Sequence, residues 1–326
     1  MSYELDPELV PAMAALAGQA AAAPAPASGD WKALRQAGEV GQAYLATLVP
    51  PSSGVQTATF HATSDDAPIE LRWYTKTSQP GAEPASQLVA GAGPAVVYAH
   101  GGGMVLGTLD LYDELISWYV DRTGVPFLSV GYRRAPDEGT GTTLSQDVFA
   151  GLAWLLAHAS ELGVDPARLA VMGDSGGGAP AVGAAILARD CGIALARQIL
   201  VYPMLDDRNQ IPDPDRVAYL TWTYDNNHTG WHALLGDDVG GAHVSPVAAP
   251  ARLTDFARLA PAYLDVGDLD IFRDEDIAYA QRLAMAGVPV ELHVYPGAPH
   301  GFERFAPHSA LAQRAMAERM RVLRAL

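Results

Sequence analysis

Three stretches of this chain pair residues able to do acyl chemistry with the glycines such chemistry requires. Gly173-Asp174-Ser175-Gly176-Gly177-Gly178 sets one hydroxyl among small residues, directly after the apolar run 169–172. A serine forced onto a sharp strand-to-helix turn needs glycine on both sides, because a Cβ there would collide with the neighbouring strand or helix. Such a turn exposes the hydroxyl above a sheet and aims the following amide, that of Gly176, at a substrate oxygen. No Lys-Ser/Thr pair follows, which disfavours a phosphate loop. A serine hydroxyl is a weak nucleophile at neutral pH, so it needs a base within reach and a third group to orient that base. His300, in Gly297-Ala298-Pro299-His300-Gly301-Phe302, follows the strand-like run 290–295 and is expected at the same sheet edge as Ser175. The other eight of the nine histidines lack such a setting.

The third group should leave the preceding strand, and residues 263–275 offer Asp265, Asp268, Asp270, Asp274 and Glu275. Asp265 belongs to the strand, and Asp274 and Glu275 would open the next helix, where acids favour the dipole without a catalytic task. Asp270 is the preferred orienting acid; by position alone Asp268 is its rival. His100-Gly101-Gly102-Gly103 follows the run 95–99. Glycines there let main-chain amides approach an oxyanion, so Gly101, Gly102, Gly103 and Gly176 are the expected donors.

These residues need a frame that brings them to one rim. At 326 residues and 49% hydrophobic composition the chain can bury a large core, as one α/β unit with a cap or as two domains. The formal charge of −16 argues against nucleic acid and anionic membrane as partners. Cys191 is the sole cysteine, so no internal disulfide forms; with the non-basic start Met1-Ser2-Tyr3-Glu4-Leu5-Asp6, a cytoplasmic location is expected. No nucleotide fingerprint or metal-ligand cluster is visible, so no cofactor is implied, and the sequon Asn227-His228-Thr229 is read as chance.

The spacing predicts a helix over 6–17, capped by Asp6 with Pro7 in its first position, and a second from Asp30 to about Leu48, stopped by Pro50-Pro51. Strands over 57–61 and 69–74 read as a hairpin-like edge, and 78–93 as a Pro/Gly/Ser-rich loop. Beyond it helices (109–123, 144–161, 179–191, 277–286, 308–326) alternate with short apolar strands (95–99, 126–130, 169–172, 199–202, 262–266, 290–295). That pattern means a mostly parallel sheet covered on both faces. Alternation lapses between Pro203 and Pro261, where Trp222, Tyr224 and Trp231 sit among polar and turn residues, as in a cap over the strand ends. The expected division is 1–52 as N-terminal helices joining the cap, 53–202 and 246–326 as the core, and 203–245 as a cap insertion.

The chain over about 57–326 resembles the hormone-sensitive-lipase-like branch of the α/β-hydrolases, the bacterial family IV esterases. Five motifs carry the resemblance in order: His100 to Gly103, Tyr132-Arg133-Arg134-Ala135-Pro136-Asp137 with Asp147 downstream, Gly173 to Gly178, Asp270 to Glu275, and His300-Gly301-Phe302. It implies an α/β-hydrolase fold with a helical cap and a triad of Ser175, Asp270 and His300, because the family's acid precedes a hydrophobic pair and Arg-Asp-Glu. The implied activity is hydrolysis of short to medium acyl esters through an acyl-enzyme, with amide hydrolysis or acyl transfer as the alternative and a non-catalytic receptor disfavoured by His300. Met104, Asp174 and Phe272 are expected in the substrate pocket with Trp222, Tyr224 and Trp231 from the cap. Gly176, Met104, Arg134, Asp137 and Ile271-Phe272 depart from the family's usual Ala, aromatic, Leu, Glu and Pro-Leu. Tyr132 and Arg133 read as structural. A homodimer through strand 290–295 is expected if that strand lies at the sheet edge.

Overall fold

A computed structural model describes residues 3–20, 24–77 and 92–326. Its centre is one eight-stranded sheet, in the spatial order β1-β2-β4-β3-β5-β6-β7-β8. β1 (Val55–Ser64) and β2 (Ala67–Lys76) form an antiparallel hairpin, joined antiparallel to β4 (Phe127–Val130). From β4 onward every pair is parallel: β3 (Gly93–Ala99), β5 (Val164–Asp174), β6 (Arg197–Val201), β7 (Ala262–Gly267) and β8 (Val290–Tyr295). This is the mostly parallel sheet that the alternation predicts, with the hairpin as one edge and β8 as the other. The loop expected over 78–93 lies almost wholly outside the described residues.

The strands read as continuous apolar runs because both faces are covered, and alternate residues divide between two clusters. Ala95, Val97 and Ala99 of β3 face one core, with residues of α4 (Thr143–Ala157), α5 (Gly178–Asp190) and α7 (Arg273–Met285). Val96 and Tyr98 face the other, against α3 (Leu109–Thr123) and α9 (Ala310–Arg324). The N-terminal helices α1 (Val10–Ala20) and α2 (Trp31–Leu48) lie outside the sheet, as expected. The Asp30 carboxylate caps α2 by accepting from the Ala33 amide, and Asp6 accepts from the Glu8 amide. Pro7–Leu9 forms a 3-10 turn rather than the start of α1, since Pro11 follows so soon.

The stretch after β6 carries α6 (Tyr224–Leu235) and several 3-10 turns in place of strands. α6 packs against α2, and the Gly29 amide donates to the Thr229 hydroxyl at 2.9 Å. So α2 and the turn before it meet the segment that follows β6. Among the described residues no helix is long and apolar enough to cross a membrane.

Candidate active site

β5 ends at Asp174, and the next residue turns back on itself. Ser175 has φ +53°, a left-handed conformation that costs a non-glycine residue energy and persists only where its surroundings enforce it. They do so through glycine: a Cβ on Gly173 would strike the Gly177 carbonyl, and one on Gly177 would strike the carbonyls of Ala99 and His100. The turn runs through a 3-10 step into α5, and the Ser175 carbonyl accepts from the Met204 amide at 2.9 Å.

His300 Nε2 lies 2.9 Å from Ser175 Oγ, and His300 Nδ1 lies 2.6 Å from Asp270 Oδ2. The structure therefore joins Asp270, not Asp268, to the imidazole. Asp270 is fully buried, and its other oxygen accepts from the Phe272 amide at 3.0 Å. Asp268 instead accepts from the Gly297 amide at 2.7 Å, tying down the base of the loop that carries His300. Tyr202 and Phe272 set their rings edge-on to His300, with centroids 4.5 and 5.3 Å away. Behind it, the Tyr202 hydroxyl donates to Glu303, and Arg319 bridges Glu303 and Asp265 at 2.7–2.8 Å. This buried network anchors α8 (Phe302–Phe305), the element that His300 leads into, to β7 and α9. A buried cation held by two carboxylates is fully paired, as burial demands.

The glycine loop after β3 wraps over the serine turn. Gly102, Gly103 and Met104 have successive φ values of +129°, +54° and +68°, and the Gly102 carbonyl accepts from the amides of Val105 and Leu106. Among the described residues no acceptor is bonded to the amides of Gly102 and Gly103. A Cβ on Gly176 would collide with the Gly103 nitrogen, so glycine at 176 allows this loop to close directly onto the turn. Gly101 lies against Asp174 O and Ser175 Cβ. Tyr132 holds the loop from below, its hydroxyl donating to His100 O at 2.6 Å, and Arg133 is paired with buried Asp147 at 2.7 Å; both have the structural character expected of them.

Burial shapes the electrostatics. Asp174, 3% exposed, has its carboxyl pushed up to about 7 by desolvation, with Tyr98 donating to Oδ2 at 2.8 Å and Oδ1 left without a partner. His100 is pushed down to about 4 by burial, so it is neutral near pH 7, with its Nδ1 proton donated to Gly101 O.

The expected pocket residues separate. Trp222 stands over the site: a Cβ on Gly103 would strike its ring. Met104 is buried against the glycine loop, and Phe272 against His300. Tyr224 turns its hydroxyl away to accept from the Asp213 amide, and Trp231 is wholly buried in the main core. Sequence reasoning missed three positions. Glu275, read as a helix-dipole acid, is buried and accepts from the amides of Leu205 and Asp206, fixing the course of the chain just after β6. Arg216 and Thr221, polar residues in a turn-rich stretch, bond the main chain of Asp270 and His300. Nothing in their local pattern marks them, because their acceptors are 54 and 79 residues away.

Glu291, His293 and Glu318 gather on β8 and α9, but Arg321 is bonded to both carboxylates, so the group is an ion-pair cluster.

A strained serine, a buried aspartate and an imidazole, in that chain order at the strand ends of a mostly parallel sheet, define a serine hydrolase of α/β architecture. Residues 96–304 match the α/β hydrolase fold family. The chain belongs to that family, and its motifs and relatives place it in the hormone-sensitive-lipase-like branch. It is 36% identical over 223 residues to an ethyl acetate hydrolase of Pseudomonas putida, spanning 65% of this chain and 67% of that one. It is 34% identical over 226 residues to the carboxylesterase NlhH of Mycobacterium tuberculosis, with the same shares covered. A bacterial heroin esterase of known structure superposes with a TM-score of 0.83 at 34% identity, covering 98% of this chain and 97% of its own.

Proposed function

We propose that this protein hydrolyses carboxylic esters of short to medium acyl chains, with Ser175 as nucleophile, His300 as general base and acid, and Asp270 as the group that orients it. The activities named for its relatives, hydrolysis of ethyl acetate and of carboxylic esters, support the reaction class. The observation that carries the residue roles is the placement of His300 between Ser175 Oγ and Asp270 Oδ2, at 2.9 and 2.6 Å.

As Ser175 Oγ attacks the ester carbonyl, its proton passes to His300 Nε2 and the carbonyl π pair moves onto oxygen. The amides of Gly102, Gly103 and Gly176 hold that oxyanion, and Asp270 stabilises the imidazolium. Collapse re-forms the carbonyl and expels the alkoxide, which takes the proton from Nε2, leaving an acyl-enzyme. Water then gives a proton to His300 and adds to the acyl carbonyl; collapse returns that proton to Ser175 Oγ and frees the acid. His100 is pushed down to about 4 by burial, so near pH 7 the oxyanion rests on main-chain amides and not on a histidine cation.

The acyl chain is limited by the cap, which we take as the N-terminal helices together with 203–245. Ser175 is 7% exposed and Trp222 covers Gly103, leaving little room beside the nucleophile. The net charge of −16 and the single cysteine fit a cytoplasmic enzyme acting on a small neutral ester. Turnover of p-nitrophenyl acetate and butyrate by the native enzyme and by Ser175→Ala is the test. Removal of the nucleophile is expected to cost on the order of 10⁴-fold or more in kcat; comparable rates would refute the assignment, and a matched anilide settles ester against amide preference.

A further inference from the structure

One short stretch of the cap touches the main chain of all three working parts of the site. Arg216, 4% exposed, donates from Nη1 to the Asp270 carbonyl oxygen at 2.8 Å, while Asp213 and Asp274 take its Nε and Nη2 at 2.7 and 3.0 Å. Thr221 donates its hydroxyl to the His300 carbonyl oxygen at 2.6 Å. The next residue, Trp222, lays its ring on Gly103 of the oxyanion loop. Between these anchors the stretch faces solvent, with Val217 51% exposed, while Leu220 and Trp222 pack against the main core. It is thus a largely surface segment, two of whose polar contacts fall on the backbone of the acid and the base, while Tyr219 donates to the Tyr3 carbonyl oxygen at 3.0 Å.

We propose that Arg216, Thr221 and Trp222 form a clamp through which docking of the cap stretch 213–222 sets the acid, the base and the oxyanion loop in reacting register. The three are positioning residues. None offers a group to the substrate's reacting atoms; each fixes a main-chain point from which a reacting group is hung. Such control is effective because a displacement near 1 Å can cost about 10²-fold in rate. With the stretch lifted, Trp222 leaves Gly103 and the way to Ser175 opens; with it docked, the donors and the Ser175–His300–Asp270 chain are assembled. Substrate entry and chemistry thereby fall on opposite positions of one segment, a gating step of the kind that commits bound substrate.

The proposal rests on the triad reading above, and the experiment separates the two. Thr221→Val, Thr221→Ser and Arg216→Met are compared with the native enzyme on p-nitrophenyl butyrate, with unfolding midpoints measured alongside. Thr221→Val is expected to lower kcat about tenfold, which is about 1.4 kcal/mol, with KM within twofold, and Thr221→Ser, which keeps the hydroxyl, to stay within twofold of native in both. Arg216→Met should lower kcat in the same sense, and the double variant should lose less than the product of the single losses, since both anchor one segment. The clamp is overturned if Thr221→Val keeps native kcat, if Thr221→Ser is as slow as Thr221→Val, or if the loss lies wholly in KM. Should Arg216→Met fail to fold, the Thr221 pair decides alone. Failure of the triad reading would show as turnover by Ser175→Ala; failure of the clamp leaves Ser175→Ala inactive and Thr221→Val at full rate.

Discussion

At the strand-end rim each group proposed to react sits close to the element that carries it. Ser175 follows β5 directly, Asp270 is the third residue after β7 and His300 the fifth after β8. The stretch 203–223, taken as part of the proposed cap, contains no strand and only a three-residue 3-10 turn, and its position depends on side chains reaching far along the chain. The rim therefore derives its precision from the sheet ladder and from glycines that let backbones touch. The cap derives its precision from a few charge-assisted and hydroxyl bonds, each worth about 1–3 kcal/mol at most. A region held in the first way tolerates little change in shape, whereas one held in the second way can let go and return.

The largest effects should come from breaking the rim. Asp270→Asn is expected to lower kcat by about 10³- to 10⁴-fold, since the imidazole loses both its orientation and the charge that stabilises its protonated form. Asp268→Asn should cost tenfold or less, because Asp268 secures the Gly297 amide and not the ring. A steady-state comparison of the two on one ester checks the difference; equal losses would mean that the rim is read wrongly. Next, Gly176→Ala should push the Gly103–Met104 backbone off the serine turn and lower kcat by about 10²-fold, the usual cost of a lost oxyanion donor. The same variant with an unchanged rate would show that the glycine loop is as yielding as the cap.

Smaller effects belong to the cap and to the core beneath it. Trp222→Ala opens space beside Gly103, and should raise kcat/KM for hexanoate relative to acetate esters by about tenfold, in line with one or two extra methylenes accommodated. The smallest effect is on stability. Asp276 on α7 is wholly buried with neither carboxylate oxygen partnered, and desolvation first, then Glu275, Asp270 and Asp265, raises its carboxyl well above 3.8. Its raised folded-state value means that the native state keeps a proton the unfolded chain has lost. That contribution is complete below about pH 4 and fades as pH rises through the folded value. Denaturant titrations at pH 5 and pH 8 should show Asp276→Asn gaining on the native protein by about 1–2 kcal/mol at the higher pH. A constant difference between the two pH values would mean that Asp276 is ionised in the fold.

Ser175, His300 and the glycines at 101–103 and 176–178 were legible from the chain alone, since strained turns and close backbone approach admit few residue types. The helix–strand alternation was legible for a similar reason: a strand covered on both faces must be apolar along its length, as 95–99 and 169–172 are. Local pattern left Asp268 and Asp270 as rivals, because both follow one strand and both are carboxylates. It left Glu275 as a dipole acid and passed over Arg216 and Thr221 entirely. Those choices were made by tertiary structure: which carboxylate meets an imidazole 30 residues away, and which cap side chain reaches the Asp270 carbonyl, depends on where separate elements come to rest. A residue's type states what bond it can form, but only the packed chain decides which partner is within 3 Å.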